Sequence, residues 1–234
     1  FSLLSASCNF FTPVIHSSPV IVLTFDDQHH SIYDIALPLM NQHGFSGTNF
    51  VNSGALGLPG LLTWDQLTTM QNDFGWETGG HSLNHEHLPE ISFAEAEYAI
   101  REDHRLLNLH DLNPKSFALP RGDCPLELYP VLSELYDNLR GSSDFAMHKP
   151  LNRYALGCLS VQGSWTAEPV IQRINRGIAR GESLIIIGFH RFTVAPTGTD
   201  YTCPQAVFAD ILNHIASNEI PVKTLAQAVE DLAD

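Results

Sequence analysis

The chain has 234 residues and a formal net charge of −14, and its 44% apolar and 16% charged composition argues against a disordered protein. This acidic balance argues against nucleic acid and anionic membranes as partners and leaves neutral or cationic substrates open. The length fits one large α/β domain or at most two small ones, and no apolar run approaches the roughly 18 residues of a membrane span.

Strand and helix signals then alternate along the chain, without a linker or an internal repeat. Apolar, β-branched runs predict strands at residues 20–25, 47–51, 76–79, 116–119, 154–161 and 184–188, and around Val222. Capping residues and apolar spacing predict helices at residues 31–43, 92–109, 166–180 and 204–217, and helices that begin near Thr63, Pro125 and Thr224. About seven β/α units of this kind predict one barrel-like α/β domain that spans residues 20–234.

Residues 1–19 precede the first predicted strand and are expected to form an N-terminal arm or to be the remnant of a secretory signal. Four widely spaced cysteines contain no CxxC pair, which excludes a zinc ribbon or a thioredoxin-like motif. Free thiols and three disulfide pairings all stay open for these cysteines, which are Cys8, Cys124, Cys158 and Cys203.

Two carboxylates end the first predicted strand, which reads VIVLTFDD from Val20 to Asp27. Ionised carboxylates at the end of a buried strand need a cation, a hydrogen-bond donor or water. His81 and His85 follow another strand end with the i,i+4 spacing that places two ligands on one face of a helical turn. A carboxylate and two imidazoles with open positions are typical of a catalytic zinc site, in which the second Asp can act as a general base.

Four motifs in this order resemble the polysaccharide deacetylases of the NodB-homology family, carbohydrate esterase family 4. They are TFDDQ from Thr24, HSLNH from His81, ALPRG from Ala118 and LIIIGFH from Leu184. The third motif is nearest to that of the poly-N-acetylglucosamine deacetylase-like members. The resemblance runs from about Val20 to the C-terminus and implies a distorted (β/α) barrel with about seven parallel strands.

The resemblance also implies roles for individual residues. Asp26 would be the catalytic base, His190 the acid that protonates the leaving amine, and the backbone N–H of Arg121 an oxyanion donor. The implied metal ligands are Asp27, His81 and His85. The metal would be Zn²⁺, with Co²⁺ or Ni²⁺ as alternatives, and it would activate the attacking water.

The sequence departs from the family pattern at several positions. Gln28 stands where glycine is usual, and a positive φ would strain it there. Ala118 stands where many members have an arginine that tunes the base, and Cys158 falls near a position where other members have one. Arg121 takes the usual place of an aromatic residue. The residue that orients His190 is not identified.

Three further residues, His29, Pro120 and Trp165, are predicted to contact substrate. The alternative for His29 is a position in an exposed loop, and the alternative for Trp165 is packing in the core. The predicted function is metal-dependent removal of N-acetyl groups from an N-acetylated glycan. The alternatives are hydrolysis of an O-acetyl or small-amide substrate and a non-catalytic, metal-containing glycan-binding domain. Such a deacetylase is expected to be secreted, periplasmic or associated with the cell envelope.

Overall fold

The structure, a computed structural model, describes residues 18–233. Its strands, β1 to β9 in chain order, are Val20–Asp26, Thr48–Val51, Glu77–Gly80, Ser116–Ala118, Asn138–Arg140, Leu159–Ser160, Leu184–Phe189, Arg191–Thr193 and Thr202–Pro204. Its helices, α1 to α7, are Leu37–Gln42, Trp64–Phe74, Phe93–Leu109, Tyr129–Leu135, Glu168–Ala179, Gln205–Ser217 and Leu225–Asp231. A π-helical turn precedes α1, and short 3₁₀ turns occupy several connections, among them Ser53–Ala55 and Pro120–Gly122.

One parallel sheet organises the molecule, with the strand order β5-β4-β3-β2-β1-β7-β6. β1 and β7 pair at its centre, from Val20 with Leu184 to Phe25 with Phe189. Their nearly continuous apolar sequences suit strands that are covered on both faces. The sheet curls into a half-barrel with helices around it, which confirms the predicted distorted (β/α) barrel with about seven parallel strands.

The open side of the half-barrel is joined by backbone hydrogen bonds between β5 and the segment before β6. Leu156 forms a parallel bridge with Arg140, the last residue of β5. The Leu156 amide donates to the carbonyl of Leu139 over 3.1 Å, and its carbonyl accepts from the amide of Gly141 over 2.9 Å. The Leu139 amide donates to the carbonyl of Arg153 over 2.7 Å. These bonds, called the seam below, fix the position of Arg140.

The two faces of β1 pack into different clusters because successive residues of a strand point to opposite sides. Leu23 and Phe25 belong to the main core under α1, α2 and α6. Val22 belongs to a second cluster with Phe50 and residues of α7. Asp26 follows Val22 by an even number of residues, so its side chain lies on the same inner face, inside the curled sheet.

The predicted helix caps are confirmed at three helices. In each helix, the side chain of a Ser or Thr at the N-cap accepts a hydrogen bond from the backbone amide of the residue three positions later. The side chain of that later residue accepts a hydrogen bond from the backbone amide of the N-cap residue. The pairs are Thr63 with Gln66, Ser92 with Glu95, and Thr224 with Gln227. α3 also ends at the predicted residue, Leu109.

Two other predicted caps are wrong. Thr166 does not cap α5, which begins at Glu168 with Pro169 in its first turn, where the fixed φ of proline favours a helix start. Ser31 lies at the start of its helical segment but makes no side-chain cap. Its hydroxyl instead accepts a hydrogen bond from the backbone amide of Phe192 over 2.9 Å, so tertiary contact replaces the local bond.

The strand predictions also differ from the structure in places. Of residues 154–161, only β6 and the bridge at Leu156 are extended pairings, and Val222 makes a single bridge with Ile21 instead of a strand. β5, β8 and β9 were not predicted. β5 is three residues long and two of them are polar, so it carries no apolar pattern that would mark a strand.

Cys124, Cys158 and Cys203 are free thiols, whereas Cys8 and any pairing with it lie outside the described residues. The predicted N-terminal arm or signal remnant also falls largely outside them. Among residues 18–233, each helix is too short or too polar to cross a membrane.

Candidate active site

A cavity of about 340 Å³ opens at the carboxyl ends of the central strands. In barrels of this type, chemistry collects at that end of the sheet. The cavity brings together all six residues that the sequence predicts for catalysis or metal binding. Its lining residues are Asp26, Asp27, His81, His85, Leu119, Arg121, Gly122, Arg140, Ser142, Ser160, His190 and Tyr201.

Asp27, His81 and His85 place three ligand atoms around one point. Oδ1 of Asp27 lies 3.7 Å from Nε2 of His81 and 3.7 Å from Nε2 of His85, and all three ligand atoms lie within 4.8 Å of one another. Ligand atoms bound to one tetrahedral zinc ion at about 2.0–2.2 Å are roughly 3.4 Å apart. The spacing and the donor set therefore fit a divalent cation with a position left open for water or substrate.

The ring of His81 is held in the orientation that a ligand needs. Its Nδ1 lies 2.8 Å from the carbonyl oxygen of Ala118. Because a carbonyl only accepts, Nδ1 carries the proton and the lone pair of Nε2 faces Asp27. Burial lowers the pKa of His81. This favours the neutral imidazole, the form that binds a metal ion.

The i,i+4 spacing of His81 and His85 does not lie on a helix, so the predicted helical turn is wrong. The segment between them is an irregular loop in which Ser82 and His85 have positive φ values of 65° and 58°. The hydroxyl of Ser82 donates to Glu86 over 2.6 Å, and the amide of Asn84 donates to the same carboxylate over 3.0 Å. This carboxylate folds the loop back, and the centroids of the two imidazole rings lie 4.9 Å apart.

Asp26 is paired with Arg140, a residue that sequence reasoning missed. Nη2 of Arg140 lies 2.5 Å from Oδ1 of Asp26, and both side chains are almost completely buried. Burial alone raises the pKa of Asp26, but the guanidinium, helped by His81 and His190, brings it below its ordinary value. The carboxylate is thus kept ionised in a dry site, which a general base requires. Arg140 on β5 supplies the positive charge beside Asp26. Ala118 on β4 and Cys158 beside β6, which stand at or near positions where other family members have an arginine, cannot supply it.

His190 follows β7 and faces Asp26 across the cavity, with 3.9 Å between Nε2 of His190 and Oδ2 of Asp26. Its ring packs against Tyr201, with 4.7 Å between ring centroids. Among the described residues, no hydrogen-bond partner reaches Nδ1 of His190. The contact with Tyr201, which the sequence did not predict, is thus an aromatic contact and not a hydrogen bond.

Arg121 stands in a tight turn at the cavity wall. The amide of Gly122 donates to the carbonyl of Leu119 over 2.8 Å, and Arg121 has a φ of 58°. This left-handed conformation is uncommon outside glycine and persists where the surroundings hold it. The turn places Arg121 in the cavity lining, and the family resemblance implies that its backbone N–H is an oxyanion donor.

The three residues predicted to contact substrate lie outside the cavity lining. Nδ1 of His29 lies 2.9 Å from the hydroxyl of Ser31. Pro120 is buried beneath the turn of Arg121. Trp165 packs against the main core, in agreement with the alternative given for it.

The loop after β1 has the backbone that the family's glycine would suit. Asp27 and Gln28 both have positive φ values, 67° and 40°. The strain expected for Gln28 is therefore present. Its side chain is buried rather than directed to solvent, with a relative exposure of 2%.

Comparison with known proteins identifies the family. A family model described as polysaccharide deacetylase matches residues 14–135, just over half of the chain. The chain therefore belongs to the polysaccharide deacetylase family, as its four motifs predict. A search of the curated proteins finds no match to it.

Solved structures of the same fold are similar to this chain at low identity. The peptidoglycan deacetylase PdaC from Bacillus subtilis is 18% identical, with a TM-score of 0.57 and 93% of each chain covered. Streptococcus pyogenes deacetylase PplD, in complex with acetate, is 22% identical, with a TM-score of 0.57 over 60% of this chain and 64% of that one. BA3943 from Bacillus anthracis, described as a CE4 family pseudoenzyme, is 14% identical, with a TM-score of 0.62 over 94% and 66%. The match spans less than two thirds of the length of the last two proteins.

Proposed function

We propose that this protein is a metal-dependent hydrolase that removes N-acetyl groups from an N-acetylated polysaccharide or oligosaccharide and releases acetate. One observation carries the proposal: a single cavity holds an arginine-paired carboxylate, a carboxylate–imidazole triad and a further histidine. These groups supply a base, a cation site and an acid, which together are what amide hydrolysis needs.

Asp27, His81 and His85 would hold the divalent cation, Zn²⁺ or alternatively Co²⁺ or Ni²⁺. When bound, such an ion polarises a carbonyl group and lowers the pKa of water. His81 contributes a neutral imidazole whose orientation Ala118 fixes. Asp27 offsets part of the cation's charge.

Asp26 accepts the proton of the attacking water on a carboxylate oxygen, and its low pKa keeps that oxygen available. The water oxygen adds to the acetyl carbon, and the backbone N–H of Arg121 donates to the oxyanion that forms. Removing one such donor costs about 3–4 kcal/mol in other acyl-transfer sites. His190 then gives a proton to the nitrogen as the C–N bond breaks, so the products are acetate and a free amine.

Support for a glycan substrate comes from the family and from its solved relatives, which include a peptidoglycan deacetylase. The cavity adds a half-exposed aromatic side chain at its edge, Tyr201, of the kind that packs against sugar rings. We propose that an enzyme with a substrate of this class is secreted, periplasmic or associated with the cell envelope.

The test measures acetate released from N-acetylglucosamine oligomers by protein stripped with a chelator and then supplied with Zn²⁺, Co²⁺ or Ni²⁺. Metal-restored acetate release from wild type, and its loss in Asp26→Asn, are the expected results. Full activity in Asp26→Asn would refute the mechanism.

The same assay separates the alternatives. Acetate released only from O-acetylated glycans or small amides would favour a hydrolase of another substrate class on the same fold. Binding of metal and sugar without acetate release would favour a non-catalytic, metal-containing glycan-binding domain.

A further inference from the structure

The residue that replaces the family's glycine makes a two-point contact with the end of β2. The side-chain oxygen of Gln28 accepts a hydrogen bond from the backbone amide of Asn52 over 2.8 Å. Its side-chain nitrogen donates to the carbonyl of Asn52 over 3.3 Å. Turning the amide round would oppose donor to donor and acceptor to acceptor, so this pairing fixes the orientation of the side chain.

The side chain of Asn52 continues the contact to the loop that carries the metal-binding histidines. Its amide nitrogen lies 2.6 Å from the carbonyl oxygen of His81 and 3.4 Å from that of Ser82, and it donates to both. Gln28 and Asn52 are only 2% and 4% exposed, so water does not compete for these bonds.

We propose that Gln28 and Asn52 are positioning residues that set the distance between Asp27 and His81 and thereby the affinity for the divalent cation. We call this pair the amide bridge. The inference rests on the cation site of the proposed function and extends it to residues that touch neither the ion nor the substrate.

Backbone strain explains why the bridge is needed. Asp27 and Gln28 occupy the left-handed region, which strains a non-glycine residue and persists only where contacts enforce it. Hydrogen bonds at both ends of the Gln28 amide provide that enforcement. A glycine would relieve the strain but would also leave the loop free to adopt other backbone conformations.

A second contact also ties the residues that follow β2 to the loop that carries the histidines. The carboxyl group of Asp103 accepts from the backbone amide of Ser53 over 3.0 Å and from that of His81 over 3.1 Å. Asn52 and Ser53 are thus each tied to the start of the histidine loop. Through the amide bridge, the loop that carries Asp27 is joined to the same segment.

The test titrates chelator-stripped protein with Co²⁺ and follows the visible absorption of the bound ion, without using catalysis. Gln28→Gly and Asn52→Ala should each raise the Kd for Co²⁺ about 10–100-fold, the usual loss when a residue behind a metal ligand is removed. Because both act through one bridge, the double variant should bind Co²⁺ about as weakly as Asn52→Ala alone.

Gln71→Ala is the matched control, because Gln71 also donates from its side-chain amide to a distant backbone carbonyl, that of Asp111, over 3.1 Å. It lies outside the cavity lining. Its Kd for Co²⁺ should match that of wild type, even if its thermal stability falls.

Two results would overturn the inference, and they differ in their meaning. Wild-type affinity in Gln28→Gly, with or without a lower Tm, would refute the bridge and leave the proposed function standing. Absence of Co²⁺ binding in wild type would refute the cation site, and with it both the proposed function and the bridge.

Discussion

Replacing Arg140 by methionine tests whether this residue keeps Asp26, the proposed catalytic base, ionised. Methionine preserves apolar volume but removes the charge next to Asp26. Both partners are buried, and removing one partner of a buried ion pair costs about 3–5 kcal/mol. A nearby opposite charge lowers a carboxyl pKa by about 1–3 units, or roughly 1.4–4 kcal/mol at 1.36 kcal/mol per unit. The two ranges overlap at about 3–4 kcal/mol, so a large part of the lost stability should appear as a raised pKa of Asp26.

The sign of the pH dependence follows from this shift. In wild type the lowered pKa of Asp26 stabilises the fold above the ordinary carboxyl pKa of about 3.9, and this stabilisation is lost as the pH falls through the lowered folded pKa. In Arg140→Met, burial raises the folded pKa above that ordinary value. The destabilisation relative to wild type should therefore be largest near pH 7 and should shrink toward pH 4.

The assays are denaturant unfolding at several pH values and the pH profile of kcat/KM. We expect the acid limb of the profile to move upward by about 1–3 pH units in Arg140→Met. Arg173→Met is the matched control, because Arg173 is also a buried arginine, paired with Asp144 and Glu182 outside the cavity lining. It should lose stability and leave the acid limb in place. An unmoved acid limb in Arg140→Met would refute the assigned role.

Three further predictions concern separate parts of the molecule. His85→Ala should weaken Co²⁺ binding, measured by titration, by at least about 10–100-fold, which is the usual loss when a residue behind a metal ligand is removed. An unchanged Kd would contradict the role of His85 as a ligand. Tyr201→Leu should lower kcat about tenfold, because His190 loses its aromatic contact and is misplaced. This loss is smaller than the roughly 10²–10⁴-fold rate enhancement that a general acid contributes. Tyr201→Phe keeps the aromatic ring and should retain kcat. Burial raises the pKa of Glu77, so its ionisation destabilises the fold as the pH rises above about 4.3. The free energy of unfolding of Glu77→Gln, measured with urea, should therefore increase relative to that of wild type as the pH rises from 4.5 to 7. A difference between the two proteins that stays constant over this range would refute the raised pKa of Glu77.

The sequence alone predicts which side chains meet at the ends of the central strands. Apolar runs mark β1 and β7 as central parallel strands, and the carboxyl ends of parallel strands meet at one edge of a sheet. Asp26, Asp27 and His190 are therefore predictable neighbours. The structure also brings His81 and His85 together, but a folded loop does so and not the predicted helical turn.

Contacts between distant side chains were beyond sequence reasoning. Arg140 lies 114 residues from Asp26, on a strand too short and too polar to show a pattern. The sequence marked Gln28 as a departure from the family, but its partner Asn52 follows another strand and carries no motif. Tyr201 meets His190 through β8 and β9, a parallel pair with no apolar alternation strong enough to predict it.

The seam connects the closure of the half-barrel to the protonation state of Asp26. Arg140 reaches Asp26 from the end of β5, the strand that backbone bonds to Arg153 and Leu156 join to the other side of the half-barrel. A chain whose seam is open has a buried carboxyl without its cation, and that carboxyl takes up a proton and cannot act as a base. In the proposed mechanism, a molecule with an open seam would therefore lack an ionised base at Asp26.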